Sequence, residues 1–146
     1  MRPAEDPAFF ALLTGSFLRL VGRPLIPEPD YGPDWLYVQA PFAVLAHDTS
    51  ADPRFVYANR AAQRAFGYDW QEVVGMPSRL SAEAPERAER QRLLDAVARD
   101  GFVSGYAGIR VAKDGRRFLV TEGIVWQLID ECGTVRGQAA TFPLTA

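Results

Sequence analysis

Large apolar residues near the amino terminus recur three or four positions apart, as they do along one side of a helix. This spacing in residues 6–21 predicts an amphipathic helix. Asp6 before Pro7 is typical of a helix start, and Gly22 is typical of a helix end. The four prolines of residues 24–34 then predict an extended linker.

Two short apolar runs after the linker predict a hairpin, and two helical segments follow them. Residues 41–47 and 54–58 have the composition of strands and flank a polar turn. Residues 59–67 predict a helix that begins at an asparagine cap and ends at a glycine. Residues 69–75 predict a shorter helix, because an aspartate and a glutamate there are close to the spacing of a capping box.

The carboxyl-terminal half predicts one long helix and three long strands. Residues 83–100 form the helix, which is charged throughout and has a narrow apolar side. Residues 102–112, 117–128 and 134–142 form the strands, and tight turns join them into an antiparallel meander. The order of elements predicts an α+β fold, with a five-stranded antiparallel sheet, helices on one face and an N-terminal flanking helix.

Composition and charge narrow the possible functions. The chain has 146 residues, of which 48% are hydrophobic and 23% charged, and its net charge is −2. It can therefore bury one core, and it lacks the basic balance that direct nucleic-acid binding requires. It has no signal-peptide pattern and no apolar run long enough to span a membrane. We predict a cytoplasmic protein in which residues 1–34 are helix and linker and residues 35–146 form the domain.

Several short motifs resemble those of a known family in their order and spacing. Residues 55–62, 66–68 and 72–75 resemble the PAS domain pattern, in which a strand leads into an Asn-capped helix, a Phe-Gly-Tyr turn and a short helix ending in glycine. Other motifs are similar to those of the MEKHLA domain, a PAS-related family that includes stand-alone bacterial proteins; these lie at residues 41–48, 57–59, 77–83, 115–118 and 137–140. The resemblance covers roughly residues 36–142 and implies a PAS-like fold.

The resemblance implies a sensory or interaction module without catalytic activity. We expect it to bind an unidentified small molecule or a protein partner. The chain shows neither a nucleophile-elbow motif nor a phosphate-binding glycine loop. Two alternatives stay open: a protein–protein adaptor with a filled core, and a small enzyme whose candidate residues are Arg79, Glu83 and Glu122.

In PAS relatives, the sheet face that meets the helices bounds the ligand cavity. The candidate ligand-binding residues here are Phe66, Met76, Ser78, Arg79, Tyr106, Trp126, Gln138 and Phe142. Arg79 lies just before a predicted helix start, where it could pair with a ligand carboxylate at the cavity mouth. The alternatives are a filled core, and an arginine that only pins its loop through backbone carbonyls or Glu83.

No cofactor is predicted, because the two residues that could bind one are poorly placed. His47 is the only histidine, whereas a metal site needs several ligands, so we expect its ring to bond to the backbone. Haem-binding PAS relatives usually carry their axial histidine on the long helix, which has none here. Light-sensing relatives form a flavin adduct with a cysteine on the helix after the second strand, whereas Cys132 lies in a predicted hairpin turn.

The apolar stripe of the N-terminal helix requires a cover. PAS relatives often dimerise through a flanking helix packed on the sheet, so a homodimer through residues 6–21 is one prediction. Packing of the helix over the open sheet face of its own chain is the other.

Overall fold

The fold is built on one antiparallel sheet. The computed structural model describes residues 3–82 and 84–144. Its strands lie in the order β2-β1-β5-β4-β3, and every neighbouring pair is antiparallel. Their bounds are β1 Phe42–His47, β2 Phe55–Ala58, β3 Phe102–Val111, β4 Arg117–Ile129 and β5 Val135–Pro143. The predicted α+β fold with a five-stranded sheet is confirmed.

The helices agree with the predicted segments. They are α1 Pro7–Val21, α2 Arg60–Phe66, α3 Trp70–Val73 and α4 Ala84–Asp100, with short 3₁₀ turns at Pro3–Glu5 and Ser78–Ser81. A π-helical turn at Trp35–Gln39, to which the sequence patterns assigned no element, leads into β1 and buries Leu36 and Tyr37. No helix in the described part of the chain is long and apolar enough to cross a membrane.

Helix α1 covers one side of the sheet, which we call the outer face. The Asp6 carboxylate accepts a hydrogen bond from the Ala8 amide at 2.9 Å, and Gly22 ends the helix in a left-handed conformation. Leu13 and Phe17 are buried, with exposed fractions of 0% and 1%. The apolar stripe of α1 therefore packs against the sheet of its own chain.

Helices α2 and α4 cover the opposite side, which we call the inner face. Side chains of α2 pack there with residues of β1, β4 and β5 in a second hydrophobic core. Helix α4 lies against β3 and β4. Among the described side chains of α4, only Arg90 and Val97 are buried. The described part of α4 thus contributes little apolar packing, which leaves room for a cavity beneath it.

Candidate functional site

A cavity of about 70 Å³ lies between the inner face, α2 and α4. All five strands contribute to its walls, together with the 3₁₀ turn Ser78–Ser81. Most of its lining is apolar and consists of Leu45, Phe55, Phe66, Leu93, Leu94, Val120, Val125 and Phe142. An apolar pocket of this kind with a few converging polar groups is typical of a small-molecule site.

Arg90 is the polar residue that α4 contributes to the cavity. Its side chain is buried, with 9% of the residue exposed, and Nη2 donates a hydrogen bond to the Ser78 Oγ at 2.8 Å. Burial, and then the neighbouring charge of Arg110, lower the pKa of the Arg90 guanidinium to about 10. The group therefore carries its positive charge at neutral pH in an apolar surrounding.

Arg110 and Tyr106 form the β3 wall of the cavity. The Arg110 guanidinium lies over the Tyr106 ring, 5.2 Å from its centroid, and Nη1 donates to the Ile109 carbonyl at 3.1 Å. A cation above an aromatic face is a favourable arrangement. Two arginines from two different elements, Arg90 and Arg110, thus line this cavity.

His47 and Gln138 lie side by side on the inner face, because they are paired residues of β1 and β5. The His47 Nδ1 is 2.9 Å from the Asp48 carbonyl, and Gln138 Nε2 donates to the Leu94 carbonyl at 3.1 Å. His47 Nε2 and Gln138 Oε1 are buried without a partner among the described residues. Buried polar atoms are nearly always hydrogen-bonded, so both are available to a water or ligand donor in the cavity.

Two β-bulges shape the wall around Tyr106. From Val103 to Tyr106, β3 advances three residues while β4 advances only two. In the next stretch the strands exchange roles, because β4 advances three residues while β3 advances two. Glu122 lies in this second bulge and adopts a left-handed φ of 54°. Bulges bend a sheet and change the direction of neighbouring side chains. This pair of bulges brackets Tyr106.

Glycines make the space in which the Tyr106 ring lies. A Cβ at Gly108 would come 2.8 Å from the ring carbon that carries the hydroxyl, and one at Gly123 would come 3.2 Å from the ring. The ring therefore lies flat along the strands instead of filling the cavity. The spacing of apolar and polar residues does not reveal this arrangement, because it depends on the bulges.

Four of the eight candidate ligand residues line the cavity, and these are Phe66, Tyr106, Gln138 and Phe142. Met76 is partly buried and packs against the inner core, but it does not line the cavity. Ser78 is fully buried behind Arg90, whose hydrogen bond it accepts. Met76 and Ser78 therefore support the site from outside its lining.

Arg79 lies away from the cavity. Its Nε donates to the Asp52 carboxylate at 3.2 Å, and its side chain is 49% exposed. The structure thus shows that Arg79 connects its turn to the loop before β2, whereas the arginines that line the cavity are Arg90 and Arg110. Of the other two residues considered with it, Glu83 is outside the described residues, and Glu122 is exposed at its bulge.

Trp126 does not line the cavity either, because it lies on the outer face. Its ring packs edge-on against Phe17 at 4.9 Å, and Nε1 donates to the Leu13 carbonyl at 3.3 Å. The bulge at Glu122 explains the position. Strict alternation would put Trp126 on the same face as Val120, and one extra residue reverses that relation.

The prediction from sequence missed both cavity arginines, although each leaves a signal. Arg90 precedes Leu94 by four residues and Val97 by seven, which places an arginine on the narrow apolar side of α4. Arg110 alternates with Tyr106 and Gly108 along one face of β3. A charged residue within an apolar stripe indicates a buried charge. This signal is more specific for Arg90 than for Arg110.

Cys132 lies in a hairpin turn and His47 lies at the end of a strand, as the sequence predicted. Cys132 is exposed in the turn between β4 and β5, where its amide donates to the Asp130 carboxylate at 3.0 Å. The His47 ring bonds to the backbone of Asp48. Within the described residues, no group of three or more His, Cys, Asp or Glu residues could hold a metal ion.

The comparison with protein families identifies one match. The model of the MEKHLA domain matches residues 7–145, and this span includes α1, the linker and all five strands. A search of the curated proteins found no match.

The comparison with solved structures shows the same architecture in PAS and light-oxygen-voltage domains. The PAS domain of a protein from Colwellia psychrerythraea superposes with a TM-score of 0.67 and 15% identity, over 77% of this chain and 92% of that one. A variant of the fungal photoreceptor VVD gives a TM-score of 0.64 and 21% identity, over 99% and 100%. An RNA-binding light-oxygen-voltage receptor gives 0.63 and 26%, over 84% and 36%. The predicted PAS-like fold is confirmed.

Proposed function

This chain belongs to the MEKHLA domain family, and on that basis we propose that it is a non-catalytic sensory module that binds a small molecule between its sheet and α4. The observation that carries the proposal is the cavity, in which the buried Arg90 guanidinium faces an apolar wall. Two unpartnered polar atoms, on His47 and Gln138, lie in the same lining. A filled core would not require these groups.

Helix α4 is the element that we expect a ligand to move. Its described part is held to the rest of the chain by few buried side chains, and segments with little apolar packing open at low free-energy cost. Two of its attachments border the cavity, namely Arg90 to Ser78 and the Leu94 carbonyl to Gln138. A bound molecule would therefore change the fraction of protein molecules in which α4 is closed over the cavity.

Strand β4 offers a route from the cavity to α1. Val125 lines the cavity on the inner face, and the next residue, Trp126, packs under Phe17 on the outer face. A shift of this part of β4 would therefore act on both sides of the sheet. We propose α1 as the surface that reports occupancy to an unidentified protein partner.

Flavin, the chromophore of light-sensing PAS relatives, does not fit the residues present. Pockets for larger ligands have volumes of about 300–1,000 Å³, whereas this cavity has about 70 Å³. The only cysteine, Cys132, is exposed in the β4–β5 turn and does not line the cavity. We therefore propose a smaller and colourless ligand. The cytoplasmic location stays a prediction from the sequence.

Native mass spectrometry of the freshly purified full chain, with an absorbance scan, tests this function. We expect added mass from a small molecule and no visible absorbance. The variant Ala140→Leu narrows the cavity and should lose the added mass, while Leu119→Phe, at an exposed position of β4, should keep it. Hydrogen exchange of residues 84–100 should slow when the molecule is bound.

Three results would count against this function. A chain without added mass, whose α4 exchange is the same in the wild type and the Ala140→Leu variant, would favour the adaptor with a filled core. Absorbance in the flavin or haem range would contradict the proposal that the ligand is small and colourless. Turnover of the bound molecule would favour the enzyme alternative.

A further inference from the structure

We propose that the ligand is a short-chain hydroxycarboxylate, with its carboxylate held by Arg90 and its hydroxyl directed to His47 and Gln138. This inference rests on the proposed function, because it names the class of small molecule that the cavity takes. It follows from three features of the lining: its charge, its unpartnered acceptors and its apolar end.

The charge of the lining favours an anion. Arg90 is 91% buried, and its hydrogen bond among the described residues goes to the neutral hydroxyl of Ser78. Among the described residues, the cavity lining includes no aspartate or glutamate, and Arg110 is a charged neighbour of Arg90. A buried cation is costly unless an anion compensates it. A ligand carboxylate would supply that countercharge and match the planar guanidinium fork.

The two unpartnered atoms favour a hydrogen-bond donor on the ligand. Nδ1 of His47 lies against a carbonyl, so Nδ1 carries the proton and Nε2 of the neutral ring is an acceptor. Burial lowers the pKa of His47, which keeps the ring neutral at pH 7. Oε1 of Gln138 is also an acceptor, because its Nε2 donates to Leu94. One ligand hydroxyl between these neighbours would satisfy a buried acceptor.

The position of the polar groups sets the layout of the ligand. Arg90, His47 and Gln138 all line the same small cavity, so the anion site and the acceptor pair face one shared space. A compact acid with its hydroxyl next to the carboxylate, a 2-hydroxy acid, fits this arrangement. The rest of the lining is apolar, with Phe66, Val120 and Phe142 at the side of α2 and β4. A short alkyl tail would occupy that end.

The closing experiment titrates the full chain with three matched compounds, followed by ¹H–¹⁵N NMR and calorimetry. The compounds are 2-hydroxybutyrate, its uncharged amide 2-hydroxybutyramide, and butyrate, which lacks the hydroxyl. We expect 2-hydroxybutyrate to bind at least about tenfold more tightly than the amide, because the acid supplies a charge-assisted bond to Arg90 that the amide cannot. Butyrate should bind several-fold more weakly than 2-hydroxybutyrate, and shifts should centre on Gly123 and Ala140.

Variants of α4 assign the effect to Arg90. Arg90→Met should lose at least about tenfold in affinity for 2-hydroxybutyrate, and Arg90→Lys should retain part of it. Arg92→Met removes the same charge from an exposed position of the same helix and should bind like the wild type. Thermal unfolding by circular dichroism checks that each variant is folded; if Arg90→Met is not, the compound series on the wild type decides.

The outcomes separate this inference from the proposed function. Equal binding of the acid and the amide, or of Arg90→Met and Arg92→Met, overturns the carboxylate proposal. Equal binding of butyrate and 2-hydroxybutyrate overturns the role of the hydroxyl. If native mass spectrometry finds a neutral or cationic ligand in the cavity, the sensory function stands and the hydroxycarboxylate inference fails.

Discussion

At the scale of single residues, Asn59 holds three segments of the chain together. Its Oδ1 accepts hydrogen bonds from the Val44 and Ala62 amides, each at 3.0 Å. Its Nδ2 donates to the Leu36 carbonyl at 3.1 Å and the Phe42 carbonyl at 3.0 Å. A primary amide can form four such bonds, so the buried side chain is fully used. This asparagine joins the π-helical turn, β1 and α2.

Replacement of Asn59 by alanine tests this role. We expect Asn59→Ala to lower the free energy of unfolding by about 3–5 kcal/mol, because it leaves four buried backbone groups without a partner. Asp69→Ala removes the exposed cap of α3 and should cost only about 1 kcal/mol. Urea unfolding measures both. Similar losses for the two variants would contradict the role of Asn59 as a structural centre.

Gly137 is required for the close approach of β5 to β1. A Cβ at this position would lie 2.0 Å from the His47 carbonyl oxygen, which is backbone and cannot rotate away. We expect Gly137→Ala to destabilise the fold by about 2–4 kcal/mol. At Gly133, whose φ is 81° and whose surroundings are open, alanine should cost only about 1–2 kcal/mol. Equal melting temperatures for the two variants would show that β5 can shift without cost.

His47 predicts how stability depends on pH. Burial is the main cause that lowers its pKa below the ordinary 6.5. Below pH 6.5 the unfolded chain therefore binds a proton that the folded chain refuses, and stability falls as the pH falls from 7 to 5. The slope cannot exceed about 1.4 kcal/mol per pH unit. As this is the only histidine, His47→Gln should flatten the profile in urea unfolding; an unchanged slope would rule out His47 as its source.

At the scale of elements, α1 and α4 pack in opposite ways. Helix α1 places large apolar side chains on the outer face, and its Ser16 hydroxyl both donates to and accepts from the backbone of Ile129, at 3.0 and 2.9 Å. Helix α4 shows a buried arginine and one buried valine among its described side chains. Helix α1 is therefore firmly packed on the sheet, whereas α4 is the helix that can move away from it at lower cost.

The packing of α1 gives a direct test. Phe17→Ala should lower the free energy of unfolding by about 3–5 kcal/mol, because it removes a ring that packs against Trp126. Leu18→Ala changes the next residue, which is 51% exposed, and should cost less than about 0.5 kcal/mol. Thermal unfolding followed by tryptophan fluorescence measures the difference. Equal melting temperatures would mean that α1 leaves the sheet in solution.

At the scale of the whole molecule, one sheet separates two cores, and α1 closes the outer one. Removal of residues 1–30 would uncover Trp126, Leu128 and Val44 on the outer face. We expect the truncated chain to unfold or to self-associate. Light scattering with size-exclusion chromatography, compared with the full chain, checks this expectation. A stable truncated monomer would show that residues 31–146 fold without α1.

A homodimer through α1 stays a prediction that the same measurement tests. The stripe that contains Leu13 and Phe17 is covered by the sheet, so a dimer would use the other side of the helix, where Leu18 is exposed. If the full chain is a dimer, Leu18→Arg should make it monomeric. A dimer that persists in this variant would place the interface elsewhere.

Much of the fold could be predicted from the sequence, because the signals for it are local. Asp6, Asn59 and Asp69 cap helices where the pattern indicated, since a cap acts on amides only two or three residues away. The site was predicted less completely. Tyr106 and Gln138, which were predicted as ligand residues, line the cavity. Arg79 was predicted at the cavity mouth, but it binds Asp52, and the arginine at the cavity on that side is Arg90.

The sequence by itself determined the four helices, the five strands, their order and the family, because periodicity, caps and turns act over a few residues. Only the tertiary structure decided which side of the sheet each strand residue faces and which arginine enters the cavity. The bulge at Glu122 reversed the alternation before Trp126, and α4 brought Arg90 to a wall built by distant strands. Both depend on contacts between segments far apart in the chain, and the spacing of residues within one segment does not encode such contacts.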